Sequence, residues 1–199
     1  MKWGFAWLIL YPLFKALFGM RVTGQGNVIR KKRIIIAPNH ISSWDPPLVG
    51  VASPRELYFL AKEDLFIPNP FFAALIRFYN AIPIKRETGG KDALKKAIKL
   101  LREEKAVVIF PEGTRNKTDE ELLEFKEGVA LLAIKTNSPV VPTCIKGPRK
   151  PFWTWILRKE RLEVKFGEPL YPSQFNGKSG LDRLTAEIKN SVRRMLHES

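Results

Sequence analysis

Residues 34 to 47 read IIIAPNHISSWDPP, an apolar run followed by a polar corner. The run Ile34 to Ala37 is typical of a short buried strand. Asp45 followed by Pro46 predicts a helix with Asp45 as its N-cap and proline as its first helical residue. We therefore expect His40 in the loop between a strand end and a helix start, where α/β proteins bind their ligands.

The spacing of His40 and Asp45 suggests a pair. Five residues apart on one helix, they would point away from each other, but across a strand–loop–helix corner the carboxylate can reach the imidazole. We expect one Asp45 oxygen to cap the helix and the other to orient a ring nitrogen of His40, which leaves the second nitrogen as a general base. The residues alone leave an alternative, in which Asp45 is only a cap and His40 an ordinary loop residue. Ser42 and Ser43 are interpreted as loop and cap residues, not as nucleophiles.

Composition limits the class of protein. A chain of 199 residues that is 45% hydrophobic fits one domain with a sizeable core. Its 34 Lys and Arg against 20 Asp and Glu give a net charge of +14, which favours an acidic partner: nucleic acid, an anionic membrane or a phosphorylated substrate. The single cysteine, Cys144, excludes an internal disulfide. With only His40 and His197 as histidines, we expect no zinc site.

Strand-like and helix-like segments alternate along the chain. Predicted strands are 57–61, 81–84, 106–110 and 139–145, and predicted helices are 48–52, 91–104, 128–135 and 181–196. Residues 162–166 alternate like an edge strand, and helix 128–135 is apolar nearly all round and should be buried. The alternation predicts a single α/β domain with a largely parallel mixed sheet flanked by helices.

The N-terminal residues 3–20 are strongly apolar, with Pro12 and Lys15 inside them. Their continuous apolar run is shorter than the ~20 residues that a membrane-spanning helix needs. We expect a membrane-interface helix, kinked near Pro12, with its aromatic side chains at the bilayer boundary. Those side chains are Trp3, Phe5, Trp7, Phe14 and Phe18. A helix packed on the protein's own core and a single span are the alternatives. The predicted division is 1–21 for this helix and 22–199 for the α/β domain.

Four short blocks follow one another along the chain. They are Asn39-His40-x4-Asp45, Ala81 to Arg86, Phe110-Pro111-Glu112-Gly113-Thr114-Arg115, and Val140 to Thr143. In this order they resemble the blocks of the glycerolipid acyltransferases, most closely the 1-acylglycerol-3-phosphate acyltransferase branch. The resemblance covers the middle of the chain, and its first and third blocks together are highly specific. It implies transfer of a fatty acyl group from acyl-CoA or acyl carrier protein to the 2-hydroxyl of lysophosphatidic acid, giving phosphatidic acid.

The resemblance implies roles for individual residues. It makes His40 and Asp45 the catalytic pair and associates Arg86 and the Phe110–Arg115 block with the glycerol phosphate acceptor. The residue chemistry agrees, because thiolate leaves readily from a thioester, so that a base and a stabilised oxyanion are the main needs. The full predicted substrate-binding set is Lys85, Arg86, Glu112, Gly113, Thr114, Arg115 and Lys126. Glu112 is expected to bond the glycerol hydroxyl or hold Arg115, and Gly113 to permit a tight turn.

Two further stretches have open interpretations. Residues 66–76 predict an apolar helix, for which core packing ranks slightly ahead of a wall for an acyl chain or a second membrane-facing patch. Residues 149–159 interleave basic residues with Trp153 and Trp155, which suits single-stranded nucleic acid or a bilayer surface. The apolar N-terminus favours the bilayer, and an ordinary packed excursion is the alternative.

The predicted partners are an anionic phospholipid membrane, lysophosphatidic acid, and acyl-CoA or acyl carrier protein as the acyl-donor substrate. No cofactor, metal or nucleic acid is expected. The predicted location is the cytoplasmic face of the cell membrane, peripheral or monotopic. Two alternatives remain: an acyltransferase for another lysolipid or an amino-lipid, and a non-enzymatic basic module that binds membrane or nucleic acid. The second explains the charge but not the ordered blocks.

Overall fold

The computed structural model of the protein describes residues 2–67, 70–84, 90–149, 152–175 and 177–198. The predicted phosphate-binding residues Lys85 and Arg86 lie outside these ranges. The strands are β1 (Arg21–Thr23), β2 (Ile34–Pro38), β3 (Leu57–Lys62), β4 (Ala81–Ile84), β5 (Ala106–Val108), β6 (Val140–Lys146) and β7 (Glu163–Phe166). The α-helices are α1 (Lys2–Phe18), α2 (Asp45–Ala52), α3 (Pro70–Phe78), α4 (Lys91–Arg102), α5 (Gly128–Thr136), α6 (Phe152–Ile156) and α7 (Gly180–His197).

These strands pair in one sheet in the order β1-β7-β6-β2-β5-β3-β4. Every neighbouring pair is parallel except β6 with β7. The predicted α/β fold with a mostly parallel mixed sheet is confirmed. The prediction of an edge strand at 162–166 is wrong, because β7 lies between β6 and β1. Its polar Lys165 is buried in this position, and the Lys165 ammonium donates to the carbonyl of Glu198 at 3.0 Å.

The core lies on both faces of the sheet. Along β2, Ile34 and Ile36 pack against α2 and Trp155 on one face, while Ile35 and Ala37 pack against α4, α5 and α7 on the other. A strand that is covered on both faces reads as a continuous apolar run, which is why residues 34–37 show no alternation.

Two predictions of burial are corrected by the helix positions. On α5, Leu131 and Ile134 are exposed on the side that faces away from the sheet. On α3, core packing does not hold for Phe71, which is 86% exposed, and the preceding Ile67 is also exposed. Helix α3 packs beside the edge strand β4, so the sheet covers only part of its surface.

Helix α1 is apolar on two sides. Phe18 is buried in the core and not at the bilayer boundary as predicted, and Leu10, Tyr11 and Phe14 pack against the same core cluster. On the other side Leu8, Ile9, Leu13 and Leu17 are exposed. The predicted Trp3 and Phe5 side chains lie outside what the structure describes. Among the described helices, none has the length and hydropathy to cross a membrane. Contact of α1 with a bilayer stays a prediction.

Candidate active site

The predicted corner lies at the carboxyl end of the central strand β2. Strands β5 and β6 flank β2 in parallel, so the loops that follow all three strands meet at one edge of the sheet. Asn39 joins two of these strands, since its side-chain amide donates to the carbonyl of Ile145 at 3.1 Å and its Oδ1 accepts from the N–H of Ile145 at 2.8 Å. Asn39 is 1% exposed, and its side-chain amide pairs with the backbone of β6 as a peptide group of a neighbouring strand would.

The structure brings His40 and Asp45 into contact. The Nδ1 atom of His40 lies 2.8 Å from Oδ2 of Asp45. The same oxygen accepts from the N–H groups of Ile41 at 2.7 Å and Ser42 at 2.8 Å. Asp45 is completely buried, so this oxygen holds both the ring and the loop that carries it.

The predicted N-cap at Asp45 is wrong by one residue. Trp44 is the N-cap of α2 and Asp45 is its first residue. The carboxylate turns back toward the preceding loop because two N–H groups converge on it there, and it makes no side-chain cap to the helix. A single oxygen therefore serves the loop and the imidazole, whereas Oδ1 is buried without a hydrogen-bond partner among the described residues.

The imidazole of His40 is fixed on one side by an aromatic ring. Phe110, at the start of the loop after β5, stacks on it with 4.1 Å between ring centroids and 27° between planes. The His40 side chain is 18% exposed. Its Nε2 atom makes no hydrogen bond to the described residues, so one ring nitrogen is oriented and the other is available to a ligand.

Glu112 holds the backbone of the corner. Its Oε1 accepts from the N–H of His40 at 2.6 Å, and its Oε2 accepts from the N–H of Leu123 at 3.1 Å. The residue is 2% exposed. Burial raises the pKa of the Glu112 carboxyl, and the N–H groups of His40 and Leu123 act in the opposite direction. The structure thus directs both oxygens to backbone groups, not to Arg115 as expected.

The same loop, between β5 and α5, carries four more residues of the predicted acceptor-binding set: Gly113, Thr114, Arg115 and Lys126. Gly113 has a φ of +69°, and a Cβ built there would lie 2.9 Å from Nζ of Lys126. Glycine therefore allows both the left-handed turn and the close approach of the Lys126 side chain. Thr114 and Arg115 are exposed, as is Lys126. This loop carries three exposed cations, Arg115, Lys117 and Lys126, and it follows a strand that neighbours β2, the strand that leads to His40.

Sequence reasoning missed several groups that hold the corner. The motif predicts no separate role for Asn39, and Phe110 is expected at a strand end and in the acceptor-binding block, not against the imidazole. The N–H of Asn116 donates to the carbonyl of His40 at 2.7 Å. The signal for Asn39 was its amide directly before His40 at a strand end. A backbone N–H donor such as that of Leu123 cannot be identified from the type of its residue.

Other candidate groups are accounted for locally. Ser42 Oγ accepts from the N–H of Trp44 at 3.3 Å, as expected of a loop residue. Burial raises the pKa of Cys144 to about 12. Nε2 of His197, in the last turn of α7, lies 3.0 Å from Oε1 of Glu121 in the loop after β5. Within the described ranges, no group of three His, Cys, Asp or Glu residues is arranged to hold a metal.

Comparison with known proteins adds a family. The sequence profile of the acyltransferase family matches residues 19–146. A 1-acyl-sn-glycerol-3-phosphate acyltransferase from Bacillus subtilis is 31% identical over 169 residues, which cover 84% of this chain and 82% of the relative. One from Borreliella burgdorferi is 33% identical over 145 residues, 72% of this chain but 57% of that protein. The chain also spans 56% of the relative from Limnanthes douglasii.

A solved structure has the same fold. The crystal structure of the 1-acyl-sn-glycerophosphate acyltransferase PlsC from Thermotoga maritima superposes with a TM-score of 0.70, covering 98% of this chain and 83% of that one at 24% identity. At this identity the likeness concerns the fold.

Proposed function

Because the chain belongs to the acyltransferase family, we propose that it transfers a fatty acyl group from an acyl thioester to the 2-hydroxyl of 1-acylglycerol 3-phosphate, giving phosphatidic acid. The observation that carries the proposal is the contact of His40 with Asp45. Arg115 is exposed on the loop after β5, and the next residue, Asn116, donates its N–H to the carbonyl of His40. The names of the relatives support this acceptor, a lysophosphatidic acid.

His40 acts as the general base. With its Nδ1–H directed at Asp45, the lone pair of Nε2 takes the proton of the attacking hydroxyl while the new C–O bond forms at the thioester carbonyl. Collapse of the tetrahedral intermediate breaks the C–S bond, and the imidazolium returns its proton to the departing thiolate. No covalent acyl-enzyme and no cofactor is needed, and the acyl donor, acyl-CoA or acyl carrier protein, is a substrate.

Asp45 orients the base and offsets the charge of the imidazolium. Its Oδ2 is itself held by the N–H groups of Ile41 and Ser42, so it cannot rotate away from the ring without breaking the loop. Phe110 limits rotation of the imidazole on its other side. A base that is already aligned before substrate arrives lowers the entropic part of the barrier.

Glu112 positions the base through the main chain. Both of its oxygens are taken by backbone N–H groups, of which one belongs to His40. This arrangement favours a positioning role for Glu112 over direct contact with the acceptor, and it replaces the role that the sequence suggested.

Arg115 binds the acceptor phosphate. The guanidinium presents a planar fork that matches two phosphate oxygens, and its exposure leaves it free to do so. Lys126 adds a second positive charge over Gly113. Lys85 and Arg86, outside the described residues, are proposed as further phosphate ligands, and Thr114 as a hydroxyl donor to the same group.

An acceptor with a long acyl chain resides in a lipid bilayer, so we place the protein on a membrane surface, at its cytoplasmic face. The net charge of +14 favours an anionic surface.

The test uses the two histidines of the chain. The purified protein is incubated with lysophosphatidic acid and a panel of acyl-CoA chain lengths, and phosphatidic acid is quantified. We expect His40→Ala to lose about 10²–10⁴-fold in rate, while His197→Ala, whose side chain is exposed on α7, keeps the parent rate. Persistence of acylation in folded His40→Ala would refute the assignment of the base. Lysolipids with other headgroups in the same assay separate the proposed acceptor from related ones.

A further inference from the structure

Two helices at one corner of the fold leave apolar side chains facing outward. On α1 they are Leu8, Ile9, Leu13 and Leu17, and on and after α6 they are Trp153, Ile156 and Leu157. We call these seven residues the α1–α6 face. Their relative exposures range from 43% at Leu13 to 67% at Leu8. A helix that packs on a core normally turns polar residues outward, and α1 does not.

The two helices are joined. The guanidinium of Arg158 donates to the carbonyl of Ala16 at 2.7 Å, which ties the segment after α6 to the last turn of α1. Beneath them Phe18 and Trp155 meet edge to face, with 6.3 Å between centroids. Trp155 is completely buried although its neighbour Trp153 is 57% exposed. The exposed side chains of both helices therefore belong to one rigid part of the molecule.

This part of the molecule also reaches the catalytic corner. Trp155 contacts Trp44 edge to face, with 5.6 Å between centroids. Trp44 is 40% exposed and directly precedes Asp45, the partner of His40. A surface that covers the α1–α6 face would thus lie beside the base and not on the opposite side of the sheet.

The charges next to the face are mainly positive, with the half-buried Glu160 as the one acidic residue in the segment between α6 and Leu162. Residues 1–44 contain no Asp or Glu. Lys15 is exposed on α1, and Arg158 and Lys159 are exposed directly after Leu157. Two copies of such a surface would repel each other, whereas anionic lipid headgroups complement it. Apolar side chains rimmed by cations are typical of helices that lie in a bilayer interface.

We propose that the α1–α6 face is the surface by which the protein docks on an anionic bilayer, with α6 as well as α1 entering the interface. This inference deepens the proposed function, because it requires that the acceptor be delivered from the bilayer past Trp44 to His40. It joins two separate segments of sequence, the N-terminal helix and the residues around α6, into a single docking surface, whereas their residue patterns relate each of them to a bilayer separately.

The experiment is flotation of the full chain with vesicles, without substrate. Vesicles of phosphatidylcholine are compared with vesicles that also contain phosphatidylglycerol. Two double variants remove the face, Trp153→Gln with Ile156→Gln on α6, and Leu13→Gln with Leu17→Gln on α1. The matched control is Leu131→Gln with Ile134→Gln on α5, since these residues are similarly exposed on the other face of the sheet. Circular dichroism verifies that each variant is folded.

We expect the parent to bind the phosphatidylglycerol vesicles and each face variant to lose more than about tenfold in partition coefficient, because two large apolar side chains leave the interface. The α5 control should bind like the parent. Unchanged binding of the α6 variant would overturn the proposal, as would equal loss in the α5 control. A parent that forms a dimer by sedimentation and does not float would assign the face to a second copy instead.

Failure of this inference differs from failure of the proposed function. Acylation of a short-chain, monomeric lysophosphatidic acid by the parent, measured without vesicles, tests the chemistry alone. Acylation by a parent protein that does not float would refute the proposed docking surface and support the proposed reaction. Flotation without acylation of any acceptor would do the reverse.

Discussion

Removal of the Asn39 side chain tests how the catalytic corner is held to the sheet. The Asn39→Ala substitution leaves the N–H and the C=O of Ile145 without their side-chain partners at a site that is 1% exposed. An unsatisfied buried donor or acceptor costs about 1–3 kcal/mol. Two such groups, with some recovery by water in the space of the lost amide, lower the free energy of unfolding by about 3 kcal/mol. For a chain of this length that corresponds to a fall in Tm of about 6–12 °C.

The same substitution should slow catalysis. His40 follows Asn39 directly, and a displacement of the base by about 1 Å can cost on the order of 10²-fold in rate. We expect kcat to fall by about tenfold to a hundredfold at a temperature where the variant is folded, with little change in KM. Differential scanning calorimetry and steady-state acylation kinetics measure the two effects.

A companion variant and a control complete this test. Asn39→Asp keeps Oδ1 as an acceptor but turns an oxygen toward the carbonyl of Ile145, so we expect it to be at least as unstable as Asn39→Ala. Asn190→Ala, at an exposed position of α7, should stay within about 0.5 kcal/mol of the parent. A Tm for Asn39→Ala equal to that of the control would refute the reasoning.

Three further predictions concern the loop after β5. The side chain of Glu112→Gln has one acceptor oxygen, so it can accept from only one of the N–H groups of His40 and Leu123. We expect kcat to fall by about tenfold with KM for the acceptor nearly unchanged, and Glu120→Gln, at an exposed position, is the control. A rise in KM alone would indicate that Glu112 contacts the acceptor. Burial raises the pKa of Glu112, so between its unfolded and native pKa values the native state binds more protons than the unfolded state. The contribution of Glu112 to the free energy of unfolding should therefore fall as pH rises through that window. Urea titrations would contradict this if the free energy of unfolding of the parent minus that of Glu112→Gln grew with pH. Arg115→Ala should raise KM for lysophosphatidic acid by about tenfold and leave Tm unchanged, and an equal effect on an uncharged monoacylglycerol acceptor would argue against a phosphate contact.

Residue patterns predicted β2, β4 and β5 well because these strands are short and strongly apolar. The run Ile34 to Ala37 and the strand at 81–84 were placed to within a residue. The position of β7 was not predictable, since alternation shows only that the two sides of a strand differ. The buried Lys165 bonds the carbonyl of Glu198, just after α7, and lies 3.7 Å from the Glu163 carboxylate. Which strand lies beside which depends on contacts distant in sequence.

At the site, the motif correctly predicted that His40 and Asp45 meet in one corner, but the helix-capping pattern wrongly predicted that the Asp45 carboxylate caps α2. An Asp-Pro pair predicts that the aspartate caps the helix. Here its Oδ2 instead accepts hydrogen bonds from the N–H groups of Ile41 and Ser42 in the preceding loop. The sequence pattern predicts the glycerol hydroxyl or Arg115 as the partner of Glu112, because it is an acidic residue among cations in a loop. Its burial and its backbone partners are properties of three-dimensional packing, which no spacing in the sequence records.

The single oxygen of Asp45 that accepts from two main-chain donors and one ring nitrogen has a consequence for refolding. The loop can close only when the carboxylate is in place, and the imidazole is aligned only when the loop has closed. A partly refolded population with its sheet complete and this turn still open should therefore be inert. Recovery of turnover after dilution from denaturant then times the closing of one turn, and it should lag behind the recovery of far-ultraviolet dichroism.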